Sequence, residues 1–377
     1  MDLVPSAKES LTPTMENPLY LREQLITYLG NKRKLLPYIE EEIIKLKQAL
    51  GKDKITSLDI FSGSGCVARL LKAHSSVLTV NDLEKYSYII NTCYLTNLSD
   101  FDEALYEKCA KQIETALKNP IRALISKYYA PADEDHIKVG ERVFYTPENA
   151  MIIDTIRAEI EKLPLNMQPF FLAPLLAESS VHTNTSGVFK GFYKSKSSGI
   201  GIYGGDGQNA LSRIKGRIEL KKPIFSNYEC RCNIFCEDAN QLAKKLEHID
   251  LAYIDPPYDQ HPYGSNYFML NVIANNSING KMSKVSGIPD DWNRSDYNKS
   301  PLAAAAFEDL IKSLDSEYMI ISYNSEGFIT YDQMLDILGK YGDVSVRSIT
   351  YNTFRGSRNL HQRDIHVDEY LFILHKK

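Results

Sequence analysis

The chain has 377 residues, 43% hydrophobic and 24% charged, with 44 Lys and Arg against 48 Asp and Glu and a formal net charge of −4. That length holds one large domain or two of ordinary size, and the composition is that of a soluble globular protein. The overall charge argues against a body coated in polyanion, and no apolar stretch approaches the length of a membrane span.

Residues 1–18 are polar, contain proline and lack an apolar core. They read as a flexible leader, neither a signal nor a transit peptide. Residues 31–49 have helical periodicity ending at Gly51. A strand over 56–61 leads into Ser62-Gly63-Ser64-Gly65 and a helix over 66–73. A second strand, 77–80, ends in Asn81-Asp82 and is followed by a helix over 83–97. A β-turn-α-β-α unit with a glycine-rich first turn implies a parallel sheet.

The pattern then changes, and 98–226 reads as an inserted second domain. Windows 101–117, 147–163 and 166–180 are helical, and the stretch after them is rich in glycine, serine and lysine. Its glycines, at 187, 191, 199, 201, 204, 205, 207 and 216, predict a mobile segment. Between 185 and 223 lie Lys190, Lys194, Lys196, Arg213, Lys215, Arg217, Lys221 and Lys222, opposed only by Asp206 and Glu219. This segment carries +6 and the rest of the chain −10. A local basic stripe on an acidic body is the footprint of a polyanion track.

The sheet resumes with strands over 230–236 and 249–254. Cys230, Cys232 and Cys236 lack the paired spacing of a zinc site and read as small buried hydrophobes in a reducing compartment. A long polar loop over 259–300 is of a kind usually functional or disordered. Helices over 302–314 and 331–338 flank a strand over 318–323. Two last strands, 344–354 and 369–374, are joined by a basic loop over 355–363. There is no internal repeat or heptad run, and His261 and His361 have no partner spacing for a metal.

Three places carry chemistry. Asp255-Pro256-Pro257-Tyr258 ends the buried strand, because proline cannot continue a ladder. The bland reading is a turn with a surface tyrosine. The sharper one is a grip on a flat nitrogen base: a carboxylate and a proline carbonyl accept two amino hydrogens, and the ring stacks. The glycine turn after Asp59, Ile60 and Phe61 lets backbone approach a ligand, and Asp82, nineteen residues beyond Gly63, is placed for a ribose hydroxyl pair. Gly63-x-Gly65-x-x-Ala68 also satisfies the dinucleotide fingerprint, so an NAD-dependent oxidoreductase stays open here.

Asp255-Pro256-Pro257-Tyr258 is similar to the catalytic signature of methyltransferases that alkylate exocyclic nitrogens of DNA bases. Phe61-Ser62-Gly63-Ser64-Gly65 resembles the cofactor turn of adenine methyltransferases. The run Tyr28-Leu29-Gly30-Asn31-Lys32-Arg33-Lys34-Leu35-Leu36 resembles the segment before the first strand in Dam-like, D12-class adenine methyltransferases, with Tyr28 where members often carry tryptophan. The order of these parts, from Tyr28 to Tyr258, is that of the family, and the likeness continues weakly through Tyr323-Asn324 and the last strand pair.

The resemblance implies an α/β S-adenosylmethionine-dependent, Rossmann-like methyltransferase: a mixed seven-stranded sheet with an inserted, mostly helical target-recognition domain. Residues 19–97 and 227–377 would form the catalytic domain and 98–226 the insert. The cofactor S-adenosyl-L-methionine would meet Tyr28, Gly30, Lys32, Asp59, Phe61, Gly63, Gly65, Asp82, Asp238 and Asp255, with Lys32 at its carboxylate and Asp238 near its adenine. Asp255, Pro256 and Tyr258 would act on N6 of an adenine flipped from double-stranded DNA, since the target is unreachable inside a duplex. An aspartate as first residue favours adenine; relatives acting on cytosine usually start with serine, and those acting on protein glutamine with asparagine. Lys190, Lys194, Arg213, Lys215, Arg217, Arg355 and Arg358 are the candidate DNA contacts, and no metal is required. The setting implied is the cytoplasm of a bacterial or archaeal cell, with a separate cognate restriction endonuclease as a possible companion. A non-catalytic DNA-binding module of the same fold, or RNA as the polyanion, are the rival readings.

Overall fold

The computed structural model describes residues 15–352 and 366–377. The chain enters through a 3₁₀ turn, Lys32–Lys34, into α1 (Leu36–Leu50). Pro37 suits the first turn of α1, where its missing N–H would lack a partner anyway, and Gly51 ends the helix at φ +64°. Then come β1 (Ile55–Asp59), α2 (Cys66–His74), β2 (Ser75–Asn81) and α3 (Lys85–Tyr94). A helical stretch follows: α4 (Glu103–Ala116), α5 (Leu124–Tyr128), α6 (Pro147–Ile160), α7 (Gln168–Val181) and the single turn α8 (Leu211–Ile214). The sheet resumes with β3 (Arg231–Phe235), α9 (Ala239–Ala243) and β4 (Ile249–Ile254). After α10 (Tyr263–Asn266), α11 (Phe268–Asn275) and α12 (Ser300–Ser313) come β5 (Ser316–Asn324), α13 (Tyr331–Leu338), β6 (Gly342–Asn352) and β7 (His366–Lys376).

The seven strands form one sheet in the order β3-β2-β1-β4-β5-β7-β6. The first five pair in parallel, and β7 runs antiparallel between β5 and β6. The mixed α/β sheet expected from the sequence is therefore the fold. β4 is buried along its whole length, as a central parallel strand covered on both faces should be. Its one acid, Asp250, is tolerated because Lys52 Nζ donates to it at 2.6 Å and the Thr56 N–H at 2.8 Å. Leu251 and Tyr253 pack with α1 and α2 on one face; Ala252 and Ile254 pack with α12 and α13 on the other. From β1 the chain works outward to β3 and then returns to β4 on the opposite side. The carboxyl ends of β1 and β4 thus flank the switch point, where open α/β sheets bind ligands.

A third core joins α3, α4, α6, α7 and α11. It corrects two expectations. Residues 259–300 are not one polar loop: Phe268, Met269, Leu270, Val272 and Ile273 are buried in α11, against α3 and α7. Each such side chain contributes about 1.5–3 kcal/mol on burial. The helical stretch therefore shares its core with a segment beyond β4. The glycine-rich stretch is also pinned rather than loose, with Phe189, Phe192, Tyr203, Ile214 and Ile218 buried and an antiparallel bridge between Lys194 and Gly201.

Smaller corrections follow. Cys230 is buried and Cys232 half-buried, but Cys236 is exposed. At the end of the leader, Glu16 is tied down: Ser226 Oγ donates to it at 2.5 Å and the Asn227 N–H at 2.9 Å. Residues 1–14, the basic loop at 355–363 with Arg355 and Arg358, and His361 lie outside the described residues. Among those described, no helix is long and apolar enough to cross a membrane.

Candidate active site

The cleft at the switch point has about 720 Å³ of empty volume. Of the turn after β1, Phe61 reaches its lining. Gly63 and Gly65 have φ of +50° and +77°, which favour glycine. A Cβ on Gly63 would stand 2.7 Å from the Tyr28 ring, and one on Gly65 would stand 2.7 Å from Asn91 Oδ1. The Gly63 N–H donates to Asp82 Oδ2 at 2.7 Å, and the Glu84 N–H to Asp82 Oδ1 at 2.8 Å. Burial pushes the Asp82 carboxyl up to about 6 despite these donors, and pushes Glu84, which also lines the cleft, up to about 7. Asn81, which the sequence reading passed over, ties strand tips together: its Nδ2 donates to the Ile60 and Glu237 carbonyls at 3.2 and 3.0 Å.

Asp59 is 1% exposed, and neither carboxylate oxygen makes a full hydrogen bond. Burial holds its carboxyl well above the usual range, and the Asp255 and Asp82 charges add to that. Asp59 stands outside the cleft lining, with the Ala68 and Phe61 N–H groups turned to its carboxyl.

Phe61, Tyr28, Gly30 and Asp238 line the same cleft as Asp82 and Asp255. Asp238 also caps α9, accepting the Gln241 N–H at 3.0 Å. Tyr297 meets Phe61 edge-on, with ring centroids 5.2 Å apart, and lines the cleft beside Asn293, Ser295 and Asn298. These four come from the 259–300 segment, whose length was the one signal of function. Tyr28 stacks on Tyr263 and Tyr267 at 4.9 and 4.7 Å, so the aromatic position before β1 is locked by the segment beyond β4.

Asp255 leaves β4 on the cleft lining, its side chain 20% exposed. Pro256 is buried behind it, and the Tyr258 carbonyl accepts the Phe328 N–H at 3.0 Å. The Tyr258 ring packs edge-on against Tyr323 at 6.3 Å. Lys32, nearly fully buried, places Nζ 3.2 Å from Asp255 Oδ1 and 2.6 Å from Glu369 Oε1. Burial lowers its pKa, but the two carboxylates more than offset this and keep it an ammonium. Burial raises the Asp255 carboxyl, Lys32 pulls it back and Glu369 raises it again.

The basic candidates divide. Lys190 is exposed, with Nζ 3.3 Å from His261 Nδ1. Lys194 is half-buried over the Phe192 ring. Lys215 and Arg217 are exposed but paired with Glu134 and Glu148 at 2.7 and 3.2 Å. Arg213 turns its guanidinium inward and donates to the Val181, Thr183 and Thr185 carbonyls, at and just beyond the end of α7. Those carbonyls have no helical partner, and Arg213 caps them.

An open sheet with a glycine cradle at its first strand, an acid at its second strand tip and Asp-Pro-Pro-Tyr leaving its fourth defines an α/β transferase of the methyltransferase class. The chain belongs to the D12 class N6 adenine-specific DNA methyltransferases, whose family model matches residues 28–332. It is 29% identical to the type II methyltransferase M.NlaIII of Neisseria lactamica, over 93% of this chain and 99% of that one. It is 30% identical to the type II methyltransferase M.CviAII of Paramecium bursaria Chlorella virus 1, over 93% and 98%. The modification methylase StsI of Streptococcus sanguinis is 28% identical over 93% of this chain but 52% of its own length. The protein is thus an adenine-specific DNA methyltransferase, and the oxidoreductase alternative is closed.

Proposed function

We propose that the chain methylates N6 of an adenine turned out of double-stranded DNA, using S-adenosyl-L-methionine held in the switch-point cleft. The observation that carries this is the shared lining: Asp255 opens onto the same cleft as Asp82, Phe61 and Asp238. Asp82 would take the ribose hydroxyls, Phe61 and Tyr297 would flank the adenine ring with Asp238 at its edge, and Asp59 would face the ammonium. Lys32 would lend its remaining donor to the cofactor carboxylate. The bound cofactor supplies an electrophilic methyl group on a sulfonium.

The target nitrogen is a poor nucleophile because its lone pair is delocalised into the ring. Asp255 and the Pro256 carbonyl accept its two hydrogens and draw it towards a pyramidal shape that frees the lone pair. Asp255 need not be a strong base at the outset. It takes a proton once the nitrogen has formed its bond to carbon and carries positive charge. Tyr258 stacks on the extruded base, and positioning with electrostatics carries the rate. Lys190 and the exposed rim of the glycine-rich segment follow the phosphates. A cognate restriction endonuclease acting separately fits the type II relatives. Mass spectrometry of DNA after incubation with labelled S-adenosylmethionine tests the reading: labelled N6-methyladenine supports it, and label confined to cytosine overturns it.

A further inference from the structure

Glu369 lies in β7, paired with Asn324 of β5, and outside the 28–332 stretch that the family model matches. Its side chain is 1% exposed. A buried carboxylate is a poor device for stability, since an apolar residue of like volume usually serves as well or better. Yet Glu369 Oε1 accepts from Lys32 Nζ and from Ser322 Oγ, both at 2.6 Å, and Lys32 is 337 residues away in sequence. The same ammonium reaches Asp255 at 3.2 Å.

We propose that Glu369 is a positioning residue for methyl transfer: it shares the Lys32 ammonium so that Asp255 stays both oriented and electron-rich. With Lys32 and Asp255 alone, the pair would neutralise itself and the ammonium would draw on the very oxygens that must accept amino hydrogens. With Glu369 present, the shorter contact goes to Glu369, and the ammonium is shared between two acids rather than drawn to Asp255 alone. Ionised Asp255 then opposes the positive charge gathering on the target nitrogen from a position set before the reaction begins. The inference rests on Asp255 being the group that receives the target's amino hydrogens.

The groups facing Asp255 are Lys32 from the entry turn, Asp59 from β1, Cys66 opening α2, Tyr253 of its own strand, Tyr258 and Tyr263 beyond it, and Glu369 from β7. Of these, Asp59 and Glu369 are the acids. Removing the Glu369 charge removes a like charge, so Asp255 ionises at lower pH.

The test is Glu369→Gln in the full chain, followed by single-turnover transfer of labelled methyl to DNA across pH. The expected result is a plateau rate down about tenfold, less than the loss of a donor in direct contact with the developing charge, because Glu369 acts through Lys32. The acid limb moves down by about one pH unit, and affinity for DNA is unchanged. An unchanged rate, or a rate loss with an unmoved limb, overturns the proposal. Should this variant not fold, Glu369→Asp keeps the acid but withdraws it by one methylene from Lys32: an intermediate plateau rate supports the proposal, and a wild-type rate overturns it. Asp255→Ala in the same assay separates the two ideas. Full activity there fails the underlying reading, whereas a dead Asp255→Ala beside a wild-type-like Glu369→Gln fails the Glu369 proposal alone.

Discussion

The backbone N–H of Gly63 donates to Asp82 Oδ2 at 2.7 Å, which ties the turn after β1 to the tip of β2. The bond sets the acid of the cleft at a fixed place relative to the glycine cradle. Because burial pushes Asp82 up to about 6, its charge is within reach of an ordinary buffer range. In the proposed reading, ribose hydroxyls bind the ionised form. Affinity for S-adenosylhomocysteine therefore holds above pH 6 and falls as pH drops below it, by up to about tenfold per unit. Calorimetric titration checks this, and Asp82→Asn should bind weakly with a flattened profile.

Gly63→Ala should damage the cradle without removing any polar group. Its φ of +50° is strained for alanine, and the new Cβ would press 2.7 Å from the Tyr28 ring. Strain of this kind costs about 1–3 kcal/mol. Thermal denaturation should show the loss, with S-adenosylhomocysteine affinity lowered alongside.

Arg213 and Lys190 should part company when each is replaced by alanine. Arg213→Ala leaves the Val181, Thr183 and Thr185 carbonyls without their donor and should destabilise the fold by about 1–3 kcal/mol. Lys190→Ala should leave denaturation unchanged and reduce the salt slope of DNA binding by about one. Denaturant unfolding and fluorescence anisotropy at several salt concentrations distinguish them.

The sequence made Asp255 legible because two prolines cannot extend a ladder, and the strand tips were legible for the same local reasons. Direction was not legible. The +6 of the glycine-rich segment counts charges without saying where they point: Arg213 faces carbonyls, and Lys221 and Lys222 meet Glu178, Glu103 and Glu107. Nor could spacing find Glu369, which reaches Lys32 only because β7 inserts between β5 and β6. The apolar run of α11 was visible, but polar flanks disguised it as part of a loop.

That helix gives a fourth prediction. Leu270 is fully buried where α11 meets α3 and α7. Leu270→Ala should cost about 2–5 kcal/mol as a cavity in the core that joins the insert to the segment beyond β4. Urea unfolding should show that loss as a lower midpoint.

The central claim is that Asp255 receives the amino hydrogens of a flipped adenine. The direct measurement is single-turnover transfer of labelled methyl from S-adenosylmethionine to DNA by the wild type and by Asp255→Ala, with the product base identified by mass spectrometry. The account predicts N6-methyladenine from the wild type and a rate lowered at least about a hundredfold in the variant, with DNA affinity retained. An Asp255→Ala enzyme that methylates adenine at the wild-type rate would contradict it.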